Sequence, residues 1–354
     1  MFGLFARKGP FKSQVMTSGE NFEVAPNQSL LNAALAAGIA WPHSCRVGSC
    51  GTCRCRLVKG KIKPLNDFSY VLTEDELDSG LILACQTALR SDIEVEVALD
   101  HEAKPHSVPK TVEGTVDSSR SLTHDILEIR IRLDELLPRY IAGQYAEVSI
   151  PGIDKPRNYS FASAPAREFE GYVTFHVRHV PGGKMTTWFH DEHRVGERVS
   201  VGGPFGFFGL RESLAPVVCV AGGSGMAPIK SLLEQVAESG FERRFVYLFG
   251  ARTQKDLYCL DEMQDITARG NGHFQFIPIL SNEPDESDWG GARGFVTELI
   301  RRGDLVSAQS EAYLCGPPPM IDVAISELKS VGVAESNIHF DKFLDASHLP
   351  GHHR

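Results

Sequence analysis

The chain has 354 residues, of which 42% are hydrophobic and 23% are charged. At about 100 to 200 residues per domain, this length predicts two or three domains and excludes a single small scaffold. The composition is that of a globular protein and argues against wholesale disorder. The net charge of -9 argues against a nucleic-acid binder that relies on phosphate contacts. No stretch reaches the roughly 18 apolar residues that a membrane span needs.

The amino terminus indicates where the protein works. Arg7 and Lys8 follow only a few apolar residues, so the segment lacks the apolar core of a secretory signal. We therefore expect a soluble, cytoplasmic chain. Paired thiols are rare in that reducing compartment, so disulfides are not expected.

Eight cysteines are present, and five of them lie between residues 45 and 85. The run Cys45-Arg-Val-Gly-Ser-Cys50-Gly-Thr-Cys53 has the spacing C-x4-C-x2-C, and Cys85 follows 32 residues later. That spacing is typical of a plant-type [2Fe-2S] cluster. Small residues in the loop let the backbone approach the sulfurs and direct amide hydrogens at them. The predicted metal ligands are Cys45, Cys50, Cys53 and Cys85.

A structural zinc site is the main alternative, because Cys50 and Cys53 make half of a zinc ribbon. No second C-x2-C or histidine pair follows at a suitable spacing, so we favour iron and sulfur. Cys55 is expected to be a packed thiol without a metal.

The flanks of the cysteine loop suit a small β-rich domain. Ser29 is positioned to cap a helix that starts at Leu30 and ends at Gly38. After the loop, the pattern predicts a strand at 55–59, a short helix opened by Thr73 and an alternating strand at 93–97. With the cysteine spacing, residues 12–100 resemble a plant-type ferredoxin domain, which implies a β-grasp-like α+β fold.

A change of pattern marks the second domain. Residues 101–110 contain two prolines and little apolar content, which predicts a linker. Residues 111–210 then hold strand-length segments at the spacing of a small antiparallel β-barrel. The predicted strands are 111–116, 125–133, 144–150, 159–163 and 171–179.

Two segments of this barrel carry candidate chemistry. The first, Arg157-Asn158-Tyr159-Ser160, puts a cation and a flat ring on one face of a strand. The second is a glycine turn that opens a short helix, where free amides bind anions. Its residues are Gly182, Gly183, Lys184, Met185 and Thr186.

Together, these segments resemble the flavin domain of the ferredoxin-NADP reductase-like family. The resemblance implies bound FAD, with Arg157 on the diphosphate, Tyr159 against the isoalloxazine and Ser160 near its reactive nitrogen. It also places the strand of His176, Val177 and Arg178 along the flavin. The alternative for those three residues is an ordinary alternating barrel strand.

From residue 211 to 345, apolar strands alternate with helical stretches, which predicts an α/β doubly wound parallel sheet. The predicted strands are 217–221, 245–250, 274–280, 312–315 and 337–340, and the predicted helices are 229–238, 261–268, 295–300 and 321–329. Ligands of such sheets bind at the carboxyl ends of the strands.

A glycine-rich loop stands at that edge and leads directly into a helix. Glycines allow close approach and helix amides hold a diphosphate, so the loop is a nucleotide-site candidate. Its candidate residues are Gly222, Gly223, Ser224, Gly225 and Met226.

The reductase resemblance extends through this third domain. It implies that Cys315-Gly316-Pro317 lies on the nicotinamide side, with Cys315 near the reacting carbon, and that Phe343 covers the flavin. The alternative for Cys315 is a buried thiol at a strand end. Arg252 is a candidate for the adenosine ribose or a 2′-phosphate, but the acidic third domain and the resemblance favour NADH.

The order ferredoxin, FAD, NAD resembles the single-chain reductase components of bacterial oxygenases, nearest to the xylene monooxygenase type. The resemblance implies electron flow from NADH through FAD and the [2Fe-2S] cluster to a separate diiron monooxygenase or Rieske dioxygenase. A flavin suits the middle position because it exchanges one or two electrons. The alternatives are the same chain serving a sugar-deoxygenating dehydrase, or a redox-sensing module without turnover.

The apolar segment 1–5 is a candidate for peripheral contact with a membrane-bound oxygenase. It is too short to anchor the chain, and we favour disorder for it.

Overall fold

The computed structural model describes residues 10–26, 28–43, 46, 48, 51–100, 108–168, 170–191 and 193–343. The chain divides into two compact units, residues 1–108 and 109–354. The division falls within the segment expected to be a linker. The candidate membrane-contact segment 1–5 lies outside the described residues, as do two of the four predicted metal ligands, Cys45 and Cys50.

The first unit is built on a five-stranded mixed sheet with the order β2-β1-β7-β3-β5, and β4 pairs with β6 beside it. The strands are β1 Phe11–Val15, β2 Asn21–Val24, β3 Arg54–Lys59, β4 Ile62–Pro64, β5 Leu81–Leu83, β6 Thr87–Leu89 and β7 Ile93–Glu96. The helices are α1 Leu30–Ala36 and α2 Glu74–Asp78, with 3₁₀ turns at Phe68–Tyr70 and Ala84–Gln86.

Both helices of this unit begin where the sequence predicts. The Ser29 hydroxyl accepts the amide of Asn32 at the start of α1. Thr73 and Glu76 form a capping box at the start of α2. Five residues of α1 are buried with Trp41 in the core of the unit: Leu30, Leu31, Ala33, Ala34 and Leu35. The helix therefore covers one face of the sheet.

The second unit begins with a six-stranded antiparallel sheet in the order β11-β10-β13-β8-β9-β12. Its strands are β8 Lys110–Ser121, β9 Ile126–Leu133, β10 Tyr145–Ser149, β11 Arg157–Ser160, β12 Tyr172–Arg178 and β13 Arg198–Phe205, with helix α3 at Lys184–Phe189. Just beyond β11, Phe161 forms a β-bridge with Phe175 of β12. The two edges therefore meet, and the sheet forms the expected, nearly closed barrel around an apolar core.

A second sheet of six strands follows, all parallel, in the order β17-β16-β15-β14-β18-β19. The strands are β14 Val217–Gly222, β15 Phe245–Ala251, β16 Phe274–Leu280, β17 Ala292–Arg293, β18 Glu311–Gly316 and β19 Ile338–Lys342. The helices are α4 Met226–Ser239, α5 Leu260–Arg269 and α6 Pro318–Ser330. Two apolar clusters share β14, β15 and β18, as expected for a doubly wound sheet with both faces covered. The helix expected at 295–300 is a 3₁₀ helix, Val296–Arg301.

Glycines set the spacing at the carboxyl ends of β14 and β18. A Cβ at Gly225 would lie 2.2 Å from the backbone oxygen of Cys315, and one at Gly316 would lie 2.9 Å from the oxygen of Gly222. Gly316 also has a φ of +143°, which side-chain-bearing residues rarely adopt. Only residues without a side chain fit this contact.

Gly225→Ala is therefore expected to destabilise the second unit by about 1–3 kcal/mol, because the new methyl group overlaps backbone that cannot move cheaply. Thermal unfolding measured by calorimetry checks this. Gly303→Ala is the matched control, because a Cβ there has no atom within 4 Å. Equal melting temperatures for the two variants would contradict the steric argument.

Candidate functional site

The first unit brings two of the predicted metal ligands together. Cys53 lies directly before β3, and Cys85 lies in the 3₁₀ turn after β5. The backbone amide of Cys85 points at the Cys53 sulfur at 3.5 Å, and both residues are buried. Such an amide stabilises a thiolate, so the described residues fit a site for a thiolate-bound cluster.

The turns beside these cysteines depend on glycine. Gly48 and Gly51 have φ values of +84° and +74°. Arg54 donates to the backbone oxygen of Gly51 at 3.0 Å and pairs with Glu76 at 2.8 Å. This arginine therefore ties the loop to α2 while the core holds Cys53. Cys55 is buried in the same core, and burial raises the pKa of its thiol.

In the second unit, β11 presents the first predicted flavin segment. Arg157 and Asn158 are exposed, Tyr159 is half-buried and Ser160 is buried. The Tyr159 ring packs against Phe189 of α3 at 5.9 Å and Phe175 of β12 at 6.2 Å. One strand thus offers an exposed cation at one end and a supported ring and hydroxyl at the other.

The predicted flavin residues of strand β12 lie on two different faces of the strand. Val177 points into the barrel core. His176 points outward, its ring 5.5 Å from that of Tyr258, and Nε2 lies 3.8 Å from the carboxylate of Glu128. Among the described residues, neither ring nitrogen of His176 has a hydrogen-bond partner. Burial lowers the pKa of His176, although Glu128 opposes the shift, so the imidazole is neutral at pH 7.

The glycine turn after β12 leads into α3 as expected. Gly182 has a φ of +74°, and Gly183 precedes the first helical residue, Lys184. The Thr186 hydroxyl accepts the amide of Val180 and so closes the turn, while Met185 packs in the barrel core. First-turn amides have no partner within a helix, so this turn can bind an anion.

The glycine loop of the parallel sheet forms a 3₁₀ turn, Gly223–Gly225, that runs directly into α4 at Met226. No side chain caps the start of α4. The Tyr258 hydroxyl donates to the backbone oxygen of Gly223 at 2.9 Å. The loop is therefore fixed by Tyr258 where it enters the N-terminal end of a 14-residue helix, the end that favours an anion.

Cys315 and Phe343 both lie near this loop. Cys315 is the penultimate residue of β18 and lies in register with Asp341 of β19. It is fully buried, and that burial raises the pKa of its thiol. The backbone amide of Phe343 donates to the oxygen of Gly316 at 2.8 Å. The ring of Phe343 packs against the apolar cluster that contains Cys315. Gly316 ends β18, and Pro317 directly precedes α6. This segment therefore lies next to Phe343, as the sequence predicts.

A charged cluster that no local sequence pattern indicates joins the barrel to the parallel sheet. Asp125 accepts from Arg178 at 3.0 Å and lies 3.3 Å from Arg252, which also pairs with Asp256 at 2.6 Å. A Cβ at Gly223 would lie 3.3 Å from the Arg178 guanidinium, so that guanidinium borders the glycine loop.

His124, Asp125 and Asp256 bring three potential metal-ligand atoms within 4.8 Å of one another. The two guanidinium groups already compensate the carboxylates there, so the cluster is an ion-pair network and not a good cation site.

Comparison with known families covers both units. The family described as "2Fe-2S iron-sulfur cluster binding domain" matches residues 14–90, "Oxidoreductase FAD-binding domain" matches 113–209, and "Oxidoreductase NAD-binding domain" matches 219–325. The fold and these matches define a class: an oxidoreductase with binding domains for a [2Fe-2S] cluster, FAD and NAD.

Relatives narrow that class. The chain is 40% identical over 341 residues to the xylene/toluene monooxygenase electron transfer component XylA of Pseudomonas putida, covering 96% of each chain. It is 35% identical to the phenol 2-monooxygenase reductase component DmpP of Pseudomonas sp. (strain CF600), covering 93% of each. It is 31% identical to the toluate 1,2-dioxygenase electron transfer component of Pseudomonas putida, covering 89% of this chain and 92% of that protein.

A solved structure supports the same assignment. The Amycolatopsis cytochrome P450 reductase GcoB matches with a TM-score of 0.83 and 31% identity, over 95% of this chain and 99% of that one. The chain therefore belongs to the family of electron transfer reductase components of oxygenase systems. The expected family, fold class and three cofactor-binding domains are confirmed. Among the residues that the structure describes, no helix has the length and apolar character to cross a membrane.

The neutral, buried state of His176 predicts a pH dependence. The unfolded chain binds a proton near pH 6.5 that the folded chain resists, so the free energy of unfolding falls as the pH drops below 6.5. The slope from this residue reaches at most about 1.4 kcal/mol per pH unit. Urea unfolding of the second unit between pH 7.5 and 5, followed by circular dichroism, measures it. His176→Phe, which cannot titrate, should show a shallower decrease, and identical slopes would refute the assignment.

Proposed function

We propose that this protein oxidises NADH and delivers the electrons through FAD and a [2Fe-2S] cluster to a separate oxygenase. The observation that carries the proposal is the similarity to XylA, which extends over 96% of both chains and includes all three cofactor-binding domains. The alternatives, a sugar-deoxygenating dehydrase partner or a sensor without turnover, are not favoured, because the relatives described above are reductase or electron transfer components of oxygenases.

For the cluster, we propose Cys45, Cys50, Cys53 and Cys85 as the four ligands. Support comes from the buried pair Cys53 and Cys85, with the Cys85 amide directed at the Cys53 sulfur. The positive φ values of Gly48 and Gly51 allow the loop to turn sharply around such a group. We assign Cys55 no part, because it lies inside β3, in register with Ile82 of β5, and not in the loop that precedes that strand.

For FAD, we propose that the exposed Arg157 and Asn158 hold its phosphate and polar parts while Tyr159 supports the isoalloxazine and Ser160 donates to a ring nitrogen. Phe175 and Phe189 fix the Tyr159 ring from behind. The further binding residues that we propose are His176, Val177, Arg178, Gly182, Gly183, Lys184, Met185 and Thr186, of which Val177 and Met185 contribute only backbone atoms because their side chains pack in the barrel core. His176 contributes a neutral face, and the first-turn amides of α3 contribute anion donors.

For the nicotinamide dinucleotide, we propose that its diphosphate lies on the amides of Gly223, Ser224 and Gly225 and beside Met226 at the start of α4, whose own amide is bonded to the oxygens of Gly223 and Ser224. Gly222, Gly316 and Pro317 keep the adjacent strand ends narrow enough for this approach. Arg178 borders the same loop, with its guanidinium also paired with Asp125. Cys315 and Phe343 form the wall beside which we place the nicotinamide ring, and Phe343 has to move aside for it.

The preference for NADH is supported by the charged cluster. Arg252, the candidate for a 2′-phosphate, is already paired with Asp256 at 2.6 Å and lies 3.3 Å from Asp125. Any phosphate on the ribose would compete with two carboxylates. We therefore propose that the 2′-hydroxyl of NADH is accepted and that NADPH is disfavoured.

The chemistry assigned to the bound groups is simple: the flavin accepts a hydride, and the cluster passes single electrons. The chain's residues bind and orient those groups. Cys315 has a raised pKa, so it remains a neutral thiol and a packing group, and we assign it no proton transfer. Ser160 can donate a hydrogen bond from a buried position.

We propose a monooxygenase as the partner, because the relatives at 40% and 35% identity are named as components of monooxygenases. A diiron monooxygenase is our first choice and a Rieske dioxygenase our second. We place the protein in the cytoplasm, where thiols stay reduced.

Replacing one proposed cluster ligand separates NADH oxidation by the second unit from electron transfer through the cluster. Cys53→Ala should lose the iron content and the cluster absorbance, and NADH-dependent cytochrome c reduction should fall to background. NADH oxidation with ferricyanide, which accepts electrons from flavins, should continue, because the second unit is unchanged. Cys55→Ala is the matched control, since it removes a buried thiol two residues away that we do not assign to the metal.

Retention of the cluster in Cys53→Ala, or its equal loss in both variants, would contradict the ligand assignment. No NADH oxidation by the wild-type protein with either acceptor would overturn the proposed function. The same assay with NADPH in place of NADH should give a lower kcat/KM.

A further inference from the structure

Helix α4 carries three polar side chains on the face that it turns towards the barrel. Lys230, Ser231 and Glu234 are all buried, with exposures of 5%, 0% and 3%. Lys230 and Glu234 are one helical turn apart and form an ion pair at 2.6 Å. Burying a polar group costs free energy unless the group is hydrogen-bonded. The hydrogen-bond partners of these three side chains therefore indicate the role of this helix face.

The partners are three consecutive residues of the barrel. The Lys230 ammonium donates to the backbone oxygen of Ala162 at 3.0 Å, and the Ser231 hydroxyl donates to that of Ser163 at 2.7 Å. The backbone amide of Ala164 donates to Glu234 at 2.9 Å. One helix face therefore satisfies the backbone of a short segment that has left the sheet.

Both ends of this contact lead to sites proposed above. On the barrel side, Ala162 follows Ser160 by two residues, and its amide donates to Thr174 of β12 at 2.9 Å. The segment is thus fixed to both proposed flavin strands. On the other side, Lys230 is four residues beyond Met226, the start of α4. At 1.5 Å per residue, about 6 Å of helix separates the bonds from the glycine loop.

We propose that Lys230, Ser231 and Glu234 are positioning residues that set the orientation of the nicotinamide site relative to the flavin site. This rests on the proposed function. The two sites belong to different sheets, and hydride transfer requires the reacting atoms to lie about 3–3.5 Å apart. Apolar contacts alone would tolerate sliding of α4, whereas three bonds to consecutive backbone groups define one position.

The same interface provides a control. Glu238, one turn beyond Glu234 on α4, accepts from Arg167 of the barrel at 2.9 Å. Its side chain is 43% exposed, and it bonds a flexible side chain instead of backbone. Glu238→Gln removes the same charge from the same helix but leaves the three buried bonds in place.

The test uses the full-length holoprotein and the double variant Lys230→Met/Glu234→Gln, which removes both charges of the buried pair. Ser231→Ala and Glu238→Gln accompany it. Flavin and cluster absorbance report loading, and titration with NAD⁺ reports binding at the glycine loop. Stopped-flow bleaching of the flavin by NADH reports hydride transfer. Hydrogen exchange of residues 161–168 reports the contact itself.

In the double variant we expect the bleaching rate to fall at least about tenfold, because small misplacements of reacting atoms have large effects on rate. Exchange at the Ala164 amide should become faster, while cofactor content and NAD⁺ affinity stay close to wild type. Ser231→Ala should show a smaller decrease of the same kind. Glu238→Gln should match wild type in all four measurements.

An unchanged bleaching rate in the double variant would overturn the positioning role alone. A loss of NAD⁺ affinity and cofactor content in proportion to the rate would also overturn it, since it would show general destabilisation. Wild-type protein that is not bleached by NADH would overturn the proposed function and, with it, this inference.

Discussion

The contact between the ends of β14 and β18 is the constraint on which the second unit depends. Gly225 approaches the backbone of Cys315, and Gly316 approaches that of Gly222, at distances that no side chain would allow. This contact fixes where α4 starts, and Phe343 is joined to the same place through the oxygen of Gly316. Because these two strands end close together, the glycine loop lies near both Cys315 and Phe343.

Charge provides a second level of organisation between the barrel and the parallel sheet. Deep in the interface, Lys230 and Glu234 compensate each other. Nearer the surface, Asp125 binds Arg178 of the barrel and lies close to Arg252 of the parallel sheet. A buried pair of this kind is weak support for stability, and the role that we propose for it is to specify geometry. The network of Asp125, Arg178, Arg252 and Asp256 mainly determines which anion the two arginines can bind in addition to these carboxylates.

Local signals in the sequence predicted much of this fold. Ser29 and Thr73 cap the helices that they were expected to cap, and the glycine loop leads into a helix as its composition suggests. Strand β13 was not predicted, because two glycines and Pro204 fall inside it and argue against a strand. The strand expected at 159–163 is instead Arg157–Ser160, since the following residues turn to meet β12 and α4.

The candidate site was predictable only in part. Its glycines, cysteines and the Arg157–Ser160 segment occur in recognisable local patterns. The partners of Lys230 and Glu234 lie about 70 residues away in the chain, and a Lys and a Glu four apart on a helix ordinarily indicate a solvent-exposed pair. The environment of His176 likewise depends on Glu128 and Tyr258, which come from other elements. Such contacts follow from tertiary packing and leave no local signal.

The central claim is that one chain transfers electrons from NADH to both a flavin and a cluster. Anaerobic titration of the purified protein with NADH, followed by absorbance and low-temperature electron paramagnetic resonance, tests it most directly. Two electrons for the flavin and one for the cluster predict complete reduction at about 1.5 equivalents of NADH per chain, with a reduced-cluster signal. Bleaching that stops at one equivalent, with no cluster signal even in the presence of excess NADH, would contradict the account.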